Sequence, residues 1–135
     1  MRSDTEVGFY GQTGAPNWRF FVNTTDGTAW LQGSLTQNSD ARLKKNIRPL
    51  SNTLFSLRQL NGYTYNWKDE SNPDEQIGLL AQELQKVYPQ LVKEHDGKLS
   101  VNYSGMVPVL LQAIKEQQAE IDELKKLVQQ LLDKK

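Results

Sequence analysis

Ser39 and Lys44 are the residues of this sequence whose types could carry out covalent chemistry together. A serine hydroxyl attacks a carbonyl carbon when a nearby base removes its proton, and a neutral lysine amine can be that base. A free lysine keeps its proton up to about pH 10, so burial or nearby cations must favour the neutral amine. Arg42, Lys45 and Arg48 could supply the positive charge. The alternative interpretation is a basic linker whose charges are solvated.

The spacing of the two residues constrains this chemistry. Ser39 and Lys44 stand five positions apart, which places them about 140° apart around a helix and on opposite faces of a strand. Neither regular element brings both side chains together within one chain. The pair therefore requires a turn, or a lysine from a neighbouring protomer, in which case cleavage would report assembly.

The composition excludes several other kinds of site. Among the 135 residues there is no cysteine and one histidine, which rules out disulfides, thiolate zinc sites and His-rich metal sites. Sixteen basic and sixteen acidic residues give zero net charge, so nucleic-acid binding has no electrostatic support. No apolar run approaches the ~20 residues of a membrane span, and no Walker-type loop is present. We expect no metal, cofactor, nucleic acid or membrane partner.

Residues 1–38 are expected to form β-structure. Two aromatic runs flank Asp26-Gly27, and Asp-Gly between such runs predicts a hairpin. A hairpin piece of this length hardly folds alone, so the segment is expected to end a longer β-rich body. Four aromatic residues of this segment are expected to lie in a core or an interface: Trp18, Phe20, Phe21 and Trp30. Alternatively, they could form a sugar-binding platform.

Residues 39–103 are expected to form a small α+β unit. Alternating aromatic and polar residues predict a half-buried strand over 62–68. Ser51 is positioned to cap a short helix whose apolar side chains are Leu54, Leu57 and Leu60.

The second part of this unit begins with the run 77–80, which predicts a buried strand leading into a short helix that stops before Pro89. The residues on either side of Asp96-Gly97 predict another hairpin. His95, beside that turn, is expected to face solvent rather than to bind a ligand.

Residues 104–133 are expected to form a long helix. Ser104 is positioned to cap it, and Pro108 falls in the first turn, where a missing N–H costs least. Four successive heptads predict a coiled coil. Its a and d positions are Val107, Leu110, Ile114, Gln117, Ile121, Leu124, Val128 and Leu131.

The number of chains in this coiled coil stays open. A β-branched residue at a with leucine at d favours dimers, but the polar Gln117 at a d position weakens that preference. The first half of the helix is apolar all round, so it is also expected to pack on the small unit. The alternative is an amphipathic helix that folds back on its own domain. The predicted fold class is α+β.

Three motifs of this sequence, in their order along the chain, resemble those of the intramolecular chaperone domain of phage tailspikes, endosialidases, tail fibres and neck appendages. The resemblance covers residues 39–135, and the preceding β segment fits the end of a fibre or spike shaft. The motifs are Ser39-Asp40-x-Arg42-Leu43-Lys44-x-Asn46-Ile47, then Ile77-Gly78-Leu79-Leu80-Ala81-Gln82-Glu83 with Tyr88-Pro89-x-Leu91-Val92, and lastly Val101-Asn102-Tyr103-Ser104-Gly105-Met106-Val107-Pro108-Val109-Leu110-Leu111-Gln112-Ala113-Ile114.

The resemblance implies a trimeric chaperone that templates an elongated β-structured trimer and then cuts itself off by Ser/Lys autoproteolysis. Carried over, the scissile bond is Asn38–Ser39, with Ser39 as the nucleophile and Lys44 as the general base. Ser39 would attack the carbonyl just ahead of it, and water would hydrolyse the resulting ester. The trimer of the family takes precedence over the weak dimer preference.

Three further motif positions would support the site. Asp40 could pair with Lys44 or with Arg42, and Asn46 could orient the site or donate to an oxyanion. The resemblance leaves these roles open.

The resemblance also implies an organisation and a place of action. Residues 1–38 would be the end of the shaft and 39–135 the chaperone, divided into 39–103 and the coiled-coil helix 104–133. The partners would be two further copies and the chain's own shaft, assembling in the host cytoplasm and leaving the shaft in the virion tail. The alternatives are a non-cleaving trimerisation cap and a coiled-coil oligomerisation domain of a bacterial surface protein.

Overall fold

A computed structural model describes residues 5–11, 17–70 and 72–134. It has small antiparallel sheets and one long helix, which confirms the predicted α+β class. The chain divides into two compact units. One comprises Met1–Ile47 with Asn66–Glu75, and the other comprises Arg48–Tyr65 with Gln76–Lys135.

The first unit contains a three-stranded antiparallel sheet. Its strands are β1 (Glu6–Gly11), β2 (Asn17–Asn23) and β3 (Ala29–Leu31), in the order β1-β2-β3. The predicted hairpin is confirmed between β2 and β3. Gly27 adopts a φ of 75°, which glycine tolerates best, and the carboxylate of Asp26 accepts a 2.8 Å hydrogen bond from the amide of Thr28.

The aromatic side chains of this sheet form two separate groups. The ring of Phe21 lies 5.9 Å from that of Trp18 and 5.8 Å from that of Trp30, and these three residues line a shallow groove of about 380 Å³. Phe20 instead stacks on Phe9 at 6.3 Å. Three of the four aromatic residues singled out in the sequence therefore lie together.

The second unit is built from three helices and two hairpin-like strand pairs. A 3₁₀ turn, Pro89–Leu91, follows the second helix, which ends before Pro89 as predicted. The elements are α1 (Thr53–Leu57), β4 (Tyr63–Tyr65), β5 (Gln76–Gly78), α2 (Ala81–Val87), β6 (Val92–His95), β7 (Lys98–Val101) and α3 (Met106–Asp133).

The core of this unit lies between α2, β6 and the start of α3. Leu84 is completely buried there, and the other buried apolar side chains around it are Ala81, Tyr88, Val92, Met106 and Val109. The predicted hairpin of β6 and β7 is confirmed, with Asp96 and Gly97 at positive φ in its turn. His95 is exposed, also as predicted, and lies 3.4 Å from the Asp96 carboxylate.

Two strand predictions need correction. The strand expected over 62–68 is limited to β4, because the side-chain amide of Asn66 donates to the carbonyl of Pro73 at 3.1 Å and closes a loop. Ile77 was expected to be buried but is 83% exposed. Since β5 pairs only with β4 in a two-stranded ribbon, alternate side chains point away from the core, and Gly78 takes the inward position.

The predicted cap of α1 is also wrong. Ser51 does not cap the helix. Asn52 stands at the cap position in a left-handed conformation, and its side chain makes no capping bond. The amides of Thr53 and Leu54 donate instead to the carboxylate of Glu116 on α3, at 3.2 and 3.0 Å. The carboxylate of a residue distant in the sequence therefore accepts the backbone amides at the start of α1, which have no partner within the helix.

The start of α3 differs from its prediction in a similar way. Ser104 does not act as the cap, because its hydroxyl donates to the side-chain oxygen of Asn102 at 2.9 Å. The same oxygen accepts the amide of Gly105 at 3.1 Å, so Asn102 holds this end of the helix. Pro108 lies in the first turn, as predicted.

Helix α3 contributes to the core with only part of its surface. Met106, Val109 and Ala113 are buried, which confirms that the first half packs on the small unit. Every residue from Gln117 to Lys134 is exposed. The exposed apolar side chains at a and d positions are Val107, Leu110, Ile114, Ile121, Leu124, Val128 and Leu131.

The contact between Glu116 and α1 generates a test of the fold. Hydrogen bonds from the Leu54 and Thr53 amides hold the pKa of Glu116 below its usual value. Its stabilisation is therefore full above the ordinary glutamate pKa of about 4.3 and is lost as pH falls further. Replacing Glu116 by alanine should lower the melting temperature at pH 7 by several degrees, and this difference should shrink towards pH 3.

Circular dichroism melts would measure both effects, with the exposed Glu120→Ala as the matched control on the same helix. Equal melting temperatures for the two variants at pH 7 would show that the Glu116 contact does not hold α1 in place.

Candidate functional site

The candidate site is a tight turn in the first unit, between Ser39 and Lys44. Ala41–Leu43 form one turn of 3₁₀ helix. The amide of Leu43 donates to the Asp40 carbonyl at 3.1 Å, and the amide of Lys44 donates to the Ala41 carbonyl at 3.0 Å. These bonds reverse the chain within five residues.

The turn brings the two reactive side chains together. The Nζ of Lys44 donates a hydrogen bond of 2.7 Å to the Oγ of Ser39. A base must lie within about 2.6–3.2 Å of the group whose proton it takes, and this pair meets that geometry. Of the two arrangements that the spacing left open, the structure contains the turn within a single chain.

Asp40 and Arg42 hold the turn from its outer side. One carboxylate oxygen of Asp40 accepts the backbone amide of Arg42 at 2.9 Å, which makes Asp40 the N-cap of the turn. The guanidinium of Arg42 binds both carboxylate oxygens, with Nε at 3.1 Å from each and Nη2 at 2.6 Å from Oδ2. These bonds from Arg42 lower the pKa of Asp40, and the carboxylate raises the pKa of Arg42. Of its two expected partners, Asp40 therefore pairs with Arg42.

The remaining site residues flank the turn. Asn46 adopts a φ of 55°, a left-handed conformation that asparagine tolerates better than most residues, and it bends the chain after Lys44. Asn38 lies in an exposed segment outside any helix or strand. The structure thus gives Asn46 a backbone role and leaves its expected role towards an oxyanion as a prediction.

The whole site is open to solvent in the single chain. Every residue from Thr24 to Asn52 is exposed, including the apolar side chains of Leu35, Leu43 and Ile47. The hydrogen-bonded geometry of a nucleophile and a base is therefore present without burial of either side chain. Burial must come from outside this segment if the pair is to react.

The polar residues of the other two motifs have structural contacts in the second unit. Glu83 accepts hydrogen bonds from the Tyr63 hydroxyl at 2.6 Å and the Asn61 amide at 3.3 Å, and the carboxylate raises the pKa of Tyr63. The Tyr103 hydroxyl oxygen accepts the amide of Leu79 at 2.9 Å. Sequence reasoning missed these contacts because their partners lie about twenty positions apart.

Other kinds of site are not found in the described ranges. Residues 5–11, 17–70 and 72–134 contain no group of three His, Cys, Asp or Glu side chains placed to hold a metal ion. Within the same ranges, no helix is long and apolar enough to cross a membrane.

Comparisons with known proteins relate part of this chain to one protein family. Residues 39–93 match the family model described as chaperone of endosialidase. The chain is 37% identical over 122 residues to the long tail fiber protein Gp37 of Salmonella phage S16, covering 83% of this chain and 16% of that protein.

Two further relatives extend this similarity. The chain is 39% identical to Gp37 of Escherichia phage AR1 over 70% of this chain and 9% of that protein. It is 37% identical to Gp37 of Enterobacteria phage M1 over 74% of this chain and 45% of that protein. The chain thus spans less than half the length of these relatives. The matched segment begins at Ser39 and contains the whole turn, and residues 39–93 belong to the chaperone-of-endosialidase family.

Proposed function

We propose that this chain is a trimeric intramolecular chaperone that helps a phage tail fibre to fold and assemble, and then releases itself by cutting the Asn38–Ser39 bond. The observation that carries the proposal is the 2.7 Å hydrogen bond from Lys44 to Ser39. The family match, which starts at Ser39, and the similarity to the Gp37 tail fibre proteins support it.

The proposed reaction is an N-to-O acyl shift followed by hydrolysis. The neutral amine of Lys44 takes the proton of the Ser39 hydroxyl, and the Oγ attacks the carbonyl carbon of Asn38. The amide C–N bond then breaks, and the Ser39 nitrogen takes a proton back from the Lys44 ammonium. Water hydrolyses the ester that joins Asn38 to the Ser39 side chain, which frees the Asn38 carboxylate and restores the hydroxyl.

The reaction depends on an environment that the single chain lacks. Lys44 must lose its proton, and desolvation is what favours the neutral amine. The exposed apolar side chains near the pair in the sequence, Leu35, Leu43 and Ile47, are suited to burial against other copies of the chain. We propose that the two other protomers cover the turn, so that the site becomes active on assembly.

The chaperone role follows from the problem of aligning three β-structured chains. Contacts between distant segments and between chains form slowly and are prone to misalignment. A coiled coil next to the shaft holds three chain ends together and raises their effective concentration where the shaft has to begin. The exposed a and d side chains of α3 are the proposed seam of that coiled coil.

Release of the chaperone would make assembly irreversible. Once residues 39–135 separate, the shaft keeps its trimeric fold but loses the segment that aligned its chains, so unfolding cannot be reversed by the same path. In this proposal both steps take place in the host cytoplasm during virion assembly. The first 38 residues then remain with the fibre in the tail.

The cleavage proposal predicts two fragments, residues 1–38 and 39–135, when the full chain is refolded and incubated near neutral pH. Ser39→Ala should abolish the cut, and Lys44→Met should slow it by at least ~100-fold, the usual contribution of a general base. Denaturing mass spectrometry would identify the fragments. Lys68→Met and Ser51→Ala are matched controls at exposed positions outside the turn and should cleave like the unmodified chain.

The exposure of the dyad also favours one alternative, a trimerisation cap that does not cut. An intact trimer of the unmodified chain after long incubation would support that alternative and would contradict the assignment of Ser39 as a nucleophile. Cleavage that persists in Ser39→Ala would contradict it as well.

The trimer proposal predicts that the uncleavable Ser39→Ala chain, the parent of the variants below, has a sedimentation mass three times that of one chain. Ile121→Asp places a charge in the proposed seam and should yield monomers at micromolar concentration. Ala119→Asp introduces the same charge at an f position, away from the seam, and should stay trimeric. Analytical ultracentrifugation would measure the masses, and a dimer for the Ser39→Ala chain would contradict the proposal.

A further inference from the structure

Asp40 makes two kinds of hydrogen bond in this turn. One caps the backbone, and the others form an ion pair with Arg42. Oδ1 accepts the Arg42 amide, which caps the turn, and both oxygens accept the Arg42 guanidinium. The ammonium of Lys44 uses Ser39 as its acceptor. Although Asp40 and Lys44 are four positions apart in one tight turn, their charged groups therefore bind different partners, Arg42 and Ser39.

The capping bond matters more for the shape of the turn than the ion pair does. The Arg42 side chain is 89% exposed, and exposed ion pairs stabilise proteins little. An N-cap satisfies a backbone amide that has no other partner in the first turn, and its loss is usually felt more strongly. The turn therefore depends chiefly on an acceptor at position 40 at the right distance from the Arg42 amide.

The ion pair matters for the charge near the base. A free carboxylate at position 40 would be available to the Lys44 ammonium, and a carboxylate partner makes removal of the lysine proton harder. Arg42 binds both oxygens of Asp40 and so competes with Lys44 for that carboxylate. The charged side chains of this turn are Asp40, Arg42 and Lys44, and Lys45 follows directly.

We propose that Asp40 and Arg42 are positioning residues for the dyad: Asp40 caps the turn that returns Lys44 to Ser39, and Arg42 keeps the Asp40 carboxylate away from the Lys44 ammonium. This inference rests on the autoproteolysis proposed above. It assigns a separate, measurable part of the reaction to each residue.

The cap is tested by the cleavage rate on the alkaline plateau of the pH profile, where Lys44 is neutral and its protonation no longer limits the rate. Asp40→Asn and Asp40→Ser keep an acceptor at the right distance without the charge, and should cleave within about twofold of the unmodified chain. Asp40→Ala removes that acceptor and Asp40→Glu displaces it, so both variants should cleave about fivefold more slowly. A slow Asn variant beside a fast Glu variant would overturn the capping role.

The role of Arg42 is tested by the pH at which cleavage reaches half its plateau rate. Arg42→Gln frees the Asp40 carboxylate, and the midpoint should move to higher pH. Adding Asp40→Asn to Arg42→Gln should return it towards the original value. An unmoved midpoint in Arg42→Gln, or a double variant that keeps the whole shift, would overturn the competition between Arg42 and Lys44.

A structural measurement separates failure of this inference from failure of the proposed function. In the uncleavable Ser39→Ala chain, nuclear Overhauser effects between the successive amide protons of Arg42, Leu43 and Lys44 report the 3₁₀ turn. They should persist when Asp40→Asn is added and disappear with Asp40→Ala. Persistence with Asp40→Ala would overturn the capping role, whether or not the unmodified chain cleaves. If the effects follow this pattern while the unmodified chain stays intact, only the proposed cleavage fails.

Discussion

Helix α3 has two apolar faces, and most of the structure depends on how each of them is covered. Met106, Val109 and Ala113 complete the core of the second unit, while side chains such as Ile114, one position further on, face solvent. A chain of this length buries a modest core on its own, so a large uncovered apolar face is a strong driving force for association. Because both faces belong to one rigid helix, the small unit and the proposed coiled coil share their main structural element.

The turn at the candidate site follows a different physical logic. Each of its hydrogen bonds joins residues within positions 39–44, so its geometry needs no other element of the fold. Burial of the turn, in contrast, would depend on other parts of the assembly, since no part of the segment from Thr24 to Asn52 is buried in the single chain. Geometry is local here, whereas desolvation has to come from contacts outside this segment.

The same distinction explains which parts of the fold could be predicted from the sequence. Both hairpin turns, at Asp26-Gly27 and Asp96-Gly97, and the end of α2 before Pro89 depend on neighbouring residues, and each was predicted correctly. The heptad pattern likewise located α3 to within two residues of its observed start.

Two of the predictions that failed, the cap of α1 and the burial of Ile77, concern contacts with distant partners. The amides at the start of α1 are bound by Glu116, 63 positions after Thr53, and no local pattern around Ser51 contains that information. The exposure of Ile77 depends on which strand lies beside β5 and which edge stays free. At the site, the requirement for a turn followed from the spacing of Ser39 and Lys44. The capping by Asp40 had a local signal, an aspartate two positions before the amide that it accepts.

The order of events in the proposed mechanism follows from these dependences. A turn of a few residues closes in less than a microsecond, whereas registering three β-structured chains takes far longer. If the closed turn were enough for reaction, the chain could be cut before its shaft was aligned, and the coiled coil would be lost while it was still needed. A dyad that reacts only after other protomers cover it would avoid this outcome. The exposure of the dyad in the single chain is thus consistent with the proposed order, in which the chaperone acts before it cuts.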